Sequence, residues 1–221
     1  MADEFERDAL GTRAEQGDCL VTRLVDGHPQ LLLFRHPIAG IQIPAGTVEP
    51  GVAADDAVIG AAIEETDLFR FTPPTLLWRW RRKLSRQAST ACVKDPFPAW
   101  TADRGHQLGA LPRGVVVKQQ HQEESLVQVS YEERDLNTGR LMASHLGWVK
   151  SDALGQRRRR SFYHLAPRES ARDTWFVQTD GHRFELFWPD PGAPDTRPSI
   201  VAPQKSWLDV LLDSEVGRVW S

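Results

Sequence analysis

Pro44-Ala45-Gly46-Thr47-Val48-Glu49-Pro50-Gly51-Val52, followed further on by Ala61-Ala62-Ile63-Glu64-Glu65-Thr66-Asp67-Leu68, is the stretch on which the fold turns. Its first part reads as the end of a short strand, closed by Pro44 and Gly46 and turned again by Pro50-Gly51. Residues 52–68 contain no proline and only Gly60 among glycines, and they are rich in Ala, Ile and Glu, which predicts a helix. Asp55 and Asp56 fall in its first turn, where the helix dipole favours negative charge. Residues three and four apart share a helix face, so positions 61, 64 and 65 are expected on one patch facing the glycine turn. Carboxylates on such a patch form a hard-oxygen site that suits Mg²⁺, which takes one or two protein carboxylates, several waters and substrate phosphate oxygens.

Outward from this stretch the chain reads as strands. Residues 19–25 and 30–35 flank Asp26-Gly27, a hairpin signal. Residues 76–82 alternate Trp78-Arg79-Trp80-Arg81, which predicts a strand with Trp78 and Trp80 toward the core and the arginines on the other side. Residues 85–105 are irregular and read as a linker or long loop. Short strands resume at 115–118, 127–131 and 147–149, and again at 161–165, 174–178 and 184–188. Trp207, Leu208, Leu211 and Leu212 then fall at helical spacing in a final helix.

Composition narrows the classes. A chain of 221 residues that is 40% hydrophobic and 26% charged can bury a core, which excludes a disordered chain. Its net charge of −3 argues against a protein that coats nucleic acid. Aromatic and cationic residues alternate at Trp78 to Lys83, as stacking and phosphate contacts with nucleic acid would require, but a half-buried strand accounts for the same pattern. Cys19 and Cys92 are the only cysteines, too few for a disulfide framework or a Cys-rich zinc site. The longest apolar run, residues 31–34, is strand-sized, and the acidic start Met1-Ala2-Asp3-Glu4 is unlike a secretory signal. These features predict a soluble cytoplasmic protein with no membrane partner.

The stretch from Ile43 to Leu68 resembles the box of the Nudix hydrolases, G-x5-E-x7-R-E-U-x-E-E-x-G-U, where U is a bulky aliphatic residue. Gly46 falls on the first glycine, Glu64 and Glu65 on the paired glutamates, and Leu68 on the last position. The resemblance implies an α+β fold with a mixed β-sheet sandwiched between helices, and a nucleoside-diphosphate-linked ligand. It also implies Mg²⁺ or Mn²⁺ held by Glu64, Glu65 and the Gly46 carbonyl, with water attacking a phosphoanhydride. The box is degenerate: Val52 replaces its first Glu, Gly60 its Arg, Ala61 the next Glu and Asp67 its second Gly. In the family the glutamate at the position of Ala61 binds metal, and the arginine at that of Gly60 orients the carboxylates. Glu185 is the expected substitute carboxylate, since late elements of the fold sometimes supply one. Arg35, at the end of the strand entering the box, and Arg79 are the expected contacts to substrate phosphates.

Residues 113–154 resemble a bacterial SH3-like domain, on the strength of Gly114-Val115-Val116-Val117, Val127-Gln128-Val129-Ser130-Tyr131 and Gly147-Trp148-Val149. The expected organisation is a Nudix domain in two parts, 1–86 and 156–221, interrupted by a linker at 87–106 and a small SH3-like barrel at 107–155. The basic run Arg157 to Arg160 reads as a solvated junction. Two functions remain open: a diphosphate hydrolase of weak or atypical activity, and a catalytically inactive Nudix-fold module that binds or regulates. In the second, the SH3-like insertion meets a protein or peptide partner.

Overall fold

The computed structural model describes residues 13–37, 40–49, 51–85, 88–91, 97–101, 107–111, 114–136, 138–179 and 181–219. The chain begins with β1 (Arg13–Val25), β2 (His28–Leu31), β3 (Leu33–His36), β4 (Gly40–Gln42), β5 (Ala45–Val48), α1 (Ala54–Thr66) and β6 (Thr75–Lys83). It continues through β7 (Ala88–Ala91), β8 (Phe97–Trp100), β9 (Gln107–Leu111), β10 (Val116–Glu123), β11 (Leu126–Arg134), β12 (Leu141–Lys150) and β13 (Leu154–Gly155). It ends with β14 (Arg157–Leu165), β15 (Thr174–Thr179), β16 (His182–Phe187), α2 (Thr196–Ser199), α3 (Lys205–Leu212) and α4 (Glu215–Arg218). The fold is α+β and mostly sheet.

The organising strand is β1. Along one edge it pairs in parallel with β14; along the other its first half meets β5 and its second half meets β2, both antiparallel. Asp26 (φ 51°) and Gly27 (φ 81°) make the tight β1–β2 turn, where two positive φ values match the twist of a hairpin. β6 completes this mixed sheet on the far side of β14. A second, antiparallel sheet has the order β15-β16-β3-β4. The two are joined through Leu32, which separates β2 from β3.

Alternation along these strands builds a core on each face. Cys19, Val21, Leu32, Phe34, Tyr163, Phe184 and Leu186 pack with Val58 and Ala62 of α1. Leu20, Leu31, Leu33, Ile43 and Phe162 pack with Trp207, Leu208 and Leu211 of α3. The sheets therefore lie between α1 and α3, with β1, β14 and the β2–β3 segment buried on both sides. The helix anticipated at 52–68 forms as α1 and presents Val58, Ala62 and Thr66, spaced by four, to the sheet.

Residues 84–156 leave and re-enter the mixed sheet at one place. Lys83 of β6 and Arg157 of β14 face each other in the ladder, and the Leu84 amide donates to the Gln156 carbonyl at 2.7 Å. Between them lies an antiparallel sheet of order β13-β7-β10-β11-β12-β8-β9, with its own apolar cluster around Val117, Val127, Val129 and Val149. Two expectations need correction here. The segment 87–106, read as an irregular linker, contributes β7 and β8. It carries no apolar alternation and Pro98 interrupts it, so its strands are specified by the ladders of their neighbours and not by local pattern. And the strands do not close: among the described residues β13 and β9 end the sheet unpaired with each other, so the expected small barrel is an open sheet. Among the described residues no helix is long and apolar enough to cross a membrane.

Candidate functional site

α1 lies close against β1 and β5 because two facing strand residues there carry no side chain. Gly17 and Gly46 are register partners in the β1–β5 ladder and together present a flat patch to the helix. A Cβ added to Gly17 would stand 2.3 Å from Val58 Cγ2, and one on Gly46 would stand 2.4 Å from Ala61 Cβ. Both glycines are required by this close approach. One turn further along the same helix face, the Glu65 carboxylate accepts a hydrogen bond from the Ala45 amide at 3.0 Å. Gly46, Ala61 and Glu65 are thus brought together as the spacing anticipates. Glu64, about 100° round the helix, is exposed. The helix ends at Asp67, which takes the left-handed conformation (φ 57°, ψ 25°) at the position where the resembled box has glycine.

Glu185 does not join this group. It lies opposite Arg35 in the β16–β3 ladder, and the two form an ion pair with Arg35 Nε 3.1 Å from Glu185 Oε2. Its neighbours Phe184 and Leu186 point into the α1-side core, so alternation sends Glu185 to the opposite face. The Arg35 guanidinium sits over Phe187, which packs on the α3 side. Glu185 and Arg35 therefore serve each other across the sheet from the box helix. The oxygens anticipated for a divalent cation are dispersed: Glu65 is engaged by a backbone amide, Glu64 faces outward and Glu185 is on another face. Among the described residues no three His, Cys, Asp or Glu side chains are grouped to hold a metal ion. This donor set does not fit a carboxylate-rich metal centre.

Arg79 does line a cleft on the α1 side. The cavity, about 510 Å³, lies between the first turn of α1 (Ala53, Ala54, Asp55) and the ends of β1, β14 and β6. Glu15, Asp55, Arg79, Arg159 and Tyr163 form its polar lining. Arg159 is 9% and Glu15 6% exposed, and they form an ion pair of 3.4 Å. Arg79 Nε donates to Ser161 Oγ at 3.3 Å, while among the described residues no hydrogen bond engages its terminal nitrogens. Ala53 supplies no side-chain cap to α1, so the first-turn amides that open on this cleft keep their donors. Two carboxylates and two guanidiniums thus share the lining, and Arg79 with the first-turn amides is the part of it that can meet an anion.

The basic run Arg157 to Arg160, read as a solvated junction, is instead the first half of β14 at the centre of the mixed sheet, with Arg159 buried. Its even members belong to the α3 face. There Arg160 lies 4.4 Å from the Trp207 ring centre, and Arg158 and Arg160 both donate to Gln16 Oε1. Arg160 Nε is 3.2 Å from an oxygen of Asp18, which is completely buried, yet among the described residues neither Asp18 oxygen finds a hydrogen-bond donor. Burial pushes the Asp18 carboxyl up to about 7, against the opposing pull of Arg160 and then Arg158. The signal for this network is the matching charge in two segments, Glu15-Gln16-Gly17-Asp18 and Arg157 to Arg160, which only the parallel β1–β14 register brings side by side.

Trp78 and Trp80 share the α3 face, as their alternation predicts. Trp80 packs in the core there, whereas Trp78 stacks on Phe162 at 5.7 Å and stays 49% exposed. No family model matches the chain, and no curated protein matches it.

Proposed function

We propose that this chain is a Nudix-like module that binds a nucleoside-diphosphate-linked ligand and hydrolyses it poorly or not at all. The observation that carries this reading is the contact of Ala61 with Gly46. The box-helix position turned toward the glycine strand bears a methyl group, which neither binds metal nor accepts a proton. The only carboxylate on that face, Glu65, is held by the Ala45 amide. Losing a positioned base costs ~10²–10⁴-fold in rate. Binding has better support: the cleft at the start of α1 offers Arg79 and unpaired first-turn amides to phosphate oxygens. The layering of sheets between α1 and α3, with the box segment forming β5 and α1, supports the Nudix-like architecture.

The middle sheet is read as an SH3-like insertion that contacts a protein or peptide partner. Its support is that residues 84–156 depart from and return to paired positions of β6 and β14 and carry their own apolar cluster.

The test is a panel of nucleoside diphosphate derivatives, assayed for binding by calorimetry and for turnover with Mg²⁺ and Mn²⁺. The reading requires saturable binding that Arg79→Gln weakens, without appreciable turnover. Turnover that depends on the metal and is abolished by Glu65→Gln establishes the hydrolase instead. Glu185→Gln should change neither quantity, since Glu185 is committed to Arg35 on the other face.

A further inference from the structure

A second groove, about 560 Å³, runs between the start of β6 and the α3–α4 corner. Thr75, Leu76, Leu77 and Trp78 all line it. The register of β6 with β14 shifts here, Trp78 pairing with Phe162 and Leu76 with Tyr163, so strict alternation is broken at Leu77 and neighbouring side chains can share the groove, which runs beside an outer edge of the sheet. β6 has such an edge: it is the last strand of the mixed sheet, and among the described residues it pairs only with β14. An open edge offers a row of backbone donors and acceptors to an added strand.

Chemistry on the two walls defines what could fill it. On the strand side, Trp78 has one ring face against Phe162 and is half-exposed, and Leu76 is 44% exposed. On the helical side stand Asp209, Asp213 and Glu215, with Arg218 as the one cation of the lining among the described residues. Asp209 is committed to Arg197, which donates to both its oxygens. Arg218 donates to the Asp213 backbone carbonyl at 2.9 Å. Among the described residues the carboxylates of Asp213 and Glu215 have no ion-pair partner. The wall thus carries excess negative charge beside an exposed indole, the surroundings in which a cationic side chain with an apolar stem gains both charge and ring contacts.

We propose that this groove receives an extended basic segment of a partner protein, added as a strand to the edge of β6. Its backbone pairs with Thr75–Trp78, and a lysine or arginine lies over Trp78 and reaches Asp213 and Glu215. Leu76 also borders the cleft at the start of α1, but Trp78, Asp213 and Glu215 do not, and the proposal does not depend on the ligand assigned there.

The test uses a capped, fluorescent peptide alternating Arg and Val, titrated into the full chain and followed by anisotropy. Saturable binding is expected with Kd on the order of 10–100 μM, weakening as salt is raised. The double variant Asp213→Lys/Glu215→Lys, both positions exposed, should keep its thermal unfolding midpoint and bind about tenfold or more weakly. Hydrogen exchange at the Thr75–Trp78 amides should slow when the peptide is bound, and N-methylation of alternate peptide amides should abolish binding. The proposal is overturned if the peptide binds the charge-reversed chain equally well, if a Glu–Val peptide binds as tightly, or if N-methylation has no effect. Equal affinity for arginine amide alone also overturns it, as that makes the groove a small-cation site.

Discussion

Asp18→Asn isolates the cost of the buried charge at the centre of the mixed sheet. Burial holds the Asp18 carboxyl at about 7, against an ordinary value of 3.8. Between those values the folded chain keeps a proton that the unfolded chain has released, so stability falls as pH rises. The stability linked to Asp18 is complete below the unfolded value and is lost through the folded one. A displacement of about three units corresponds to roughly 4 kcal/mol across the whole range, of which about 2–3 kcal/mol is lost between pH 5 and pH 8. For a chain of this size that is a fall in Tm of roughly 5–10 °C. Asparagine keeps the shape and cannot ionise, so the variant should lack this loss and be the more stable protein at pH 8. His164, whose titration is pushed down by burial, contributes with the opposite sign below 6.5, but it is common to both chains and cancels in the comparison. Urea unfolding of both chains at unit steps from pH 5 to pH 8 measures the difference. A wild-type advantage that grows with pH would show that Arg160 wins over burial and that Asp18 stays ionised, which refutes the reasoning.

Three further outcomes follow from the packing. Gly46→Ala should destabilise by about 1–3 kcal/mol through its clash with Ala61, and Ala61→Gly in the same chain should recover most of the loss, as a double-mutant cycle would show. Asp67→Gly should stabilise by ~1 kcal/mol, because glycine occupies the left-handed position at the end of α1 without penalty; chemical denaturation checks it. Glu185→Gln should change stability by less than about 0.5 kcal/mol, since its ion pair with Arg35 is well exposed; a larger loss in denaturation would mark it as structural.

What was legible in the sequence is what local chemistry determines. Asp26-Gly27 announces its hairpin, the Ala-rich run announces α1, and Trp207, Leu208 and Leu211 announce the α3 face, because each signal lies within one or two turns of chain. The proximity of positions 61 and 65 to Gly46 also follows from helix spacing and a short connection. Glu185 was misplaced for a geometric reason: being late in the chain says nothing about which face of β16 a residue takes, and that depends on a register with β3. Arg157 to Arg160 was misread because four adjacent arginines resemble a surface. The burial of Arg159 and the partial burial of its neighbours depend on a parallel partner more than a hundred residues upstream, as the Glu15–Arg159 pairing shows. β7 and β8 escaped because small residues and a proline hide strands that distant ladders impose.

The point where residues 84–156 join the mixed sheet has an architectural consequence. Because Lys83 and Arg157 are already neighbours in one ladder, the pairing of β6 with β14 runs right up to the point where the chain leaves the sheet and returns to it. A short reverse turn could bridge the same gap, and so could any other compact unit whose termini lie side by side.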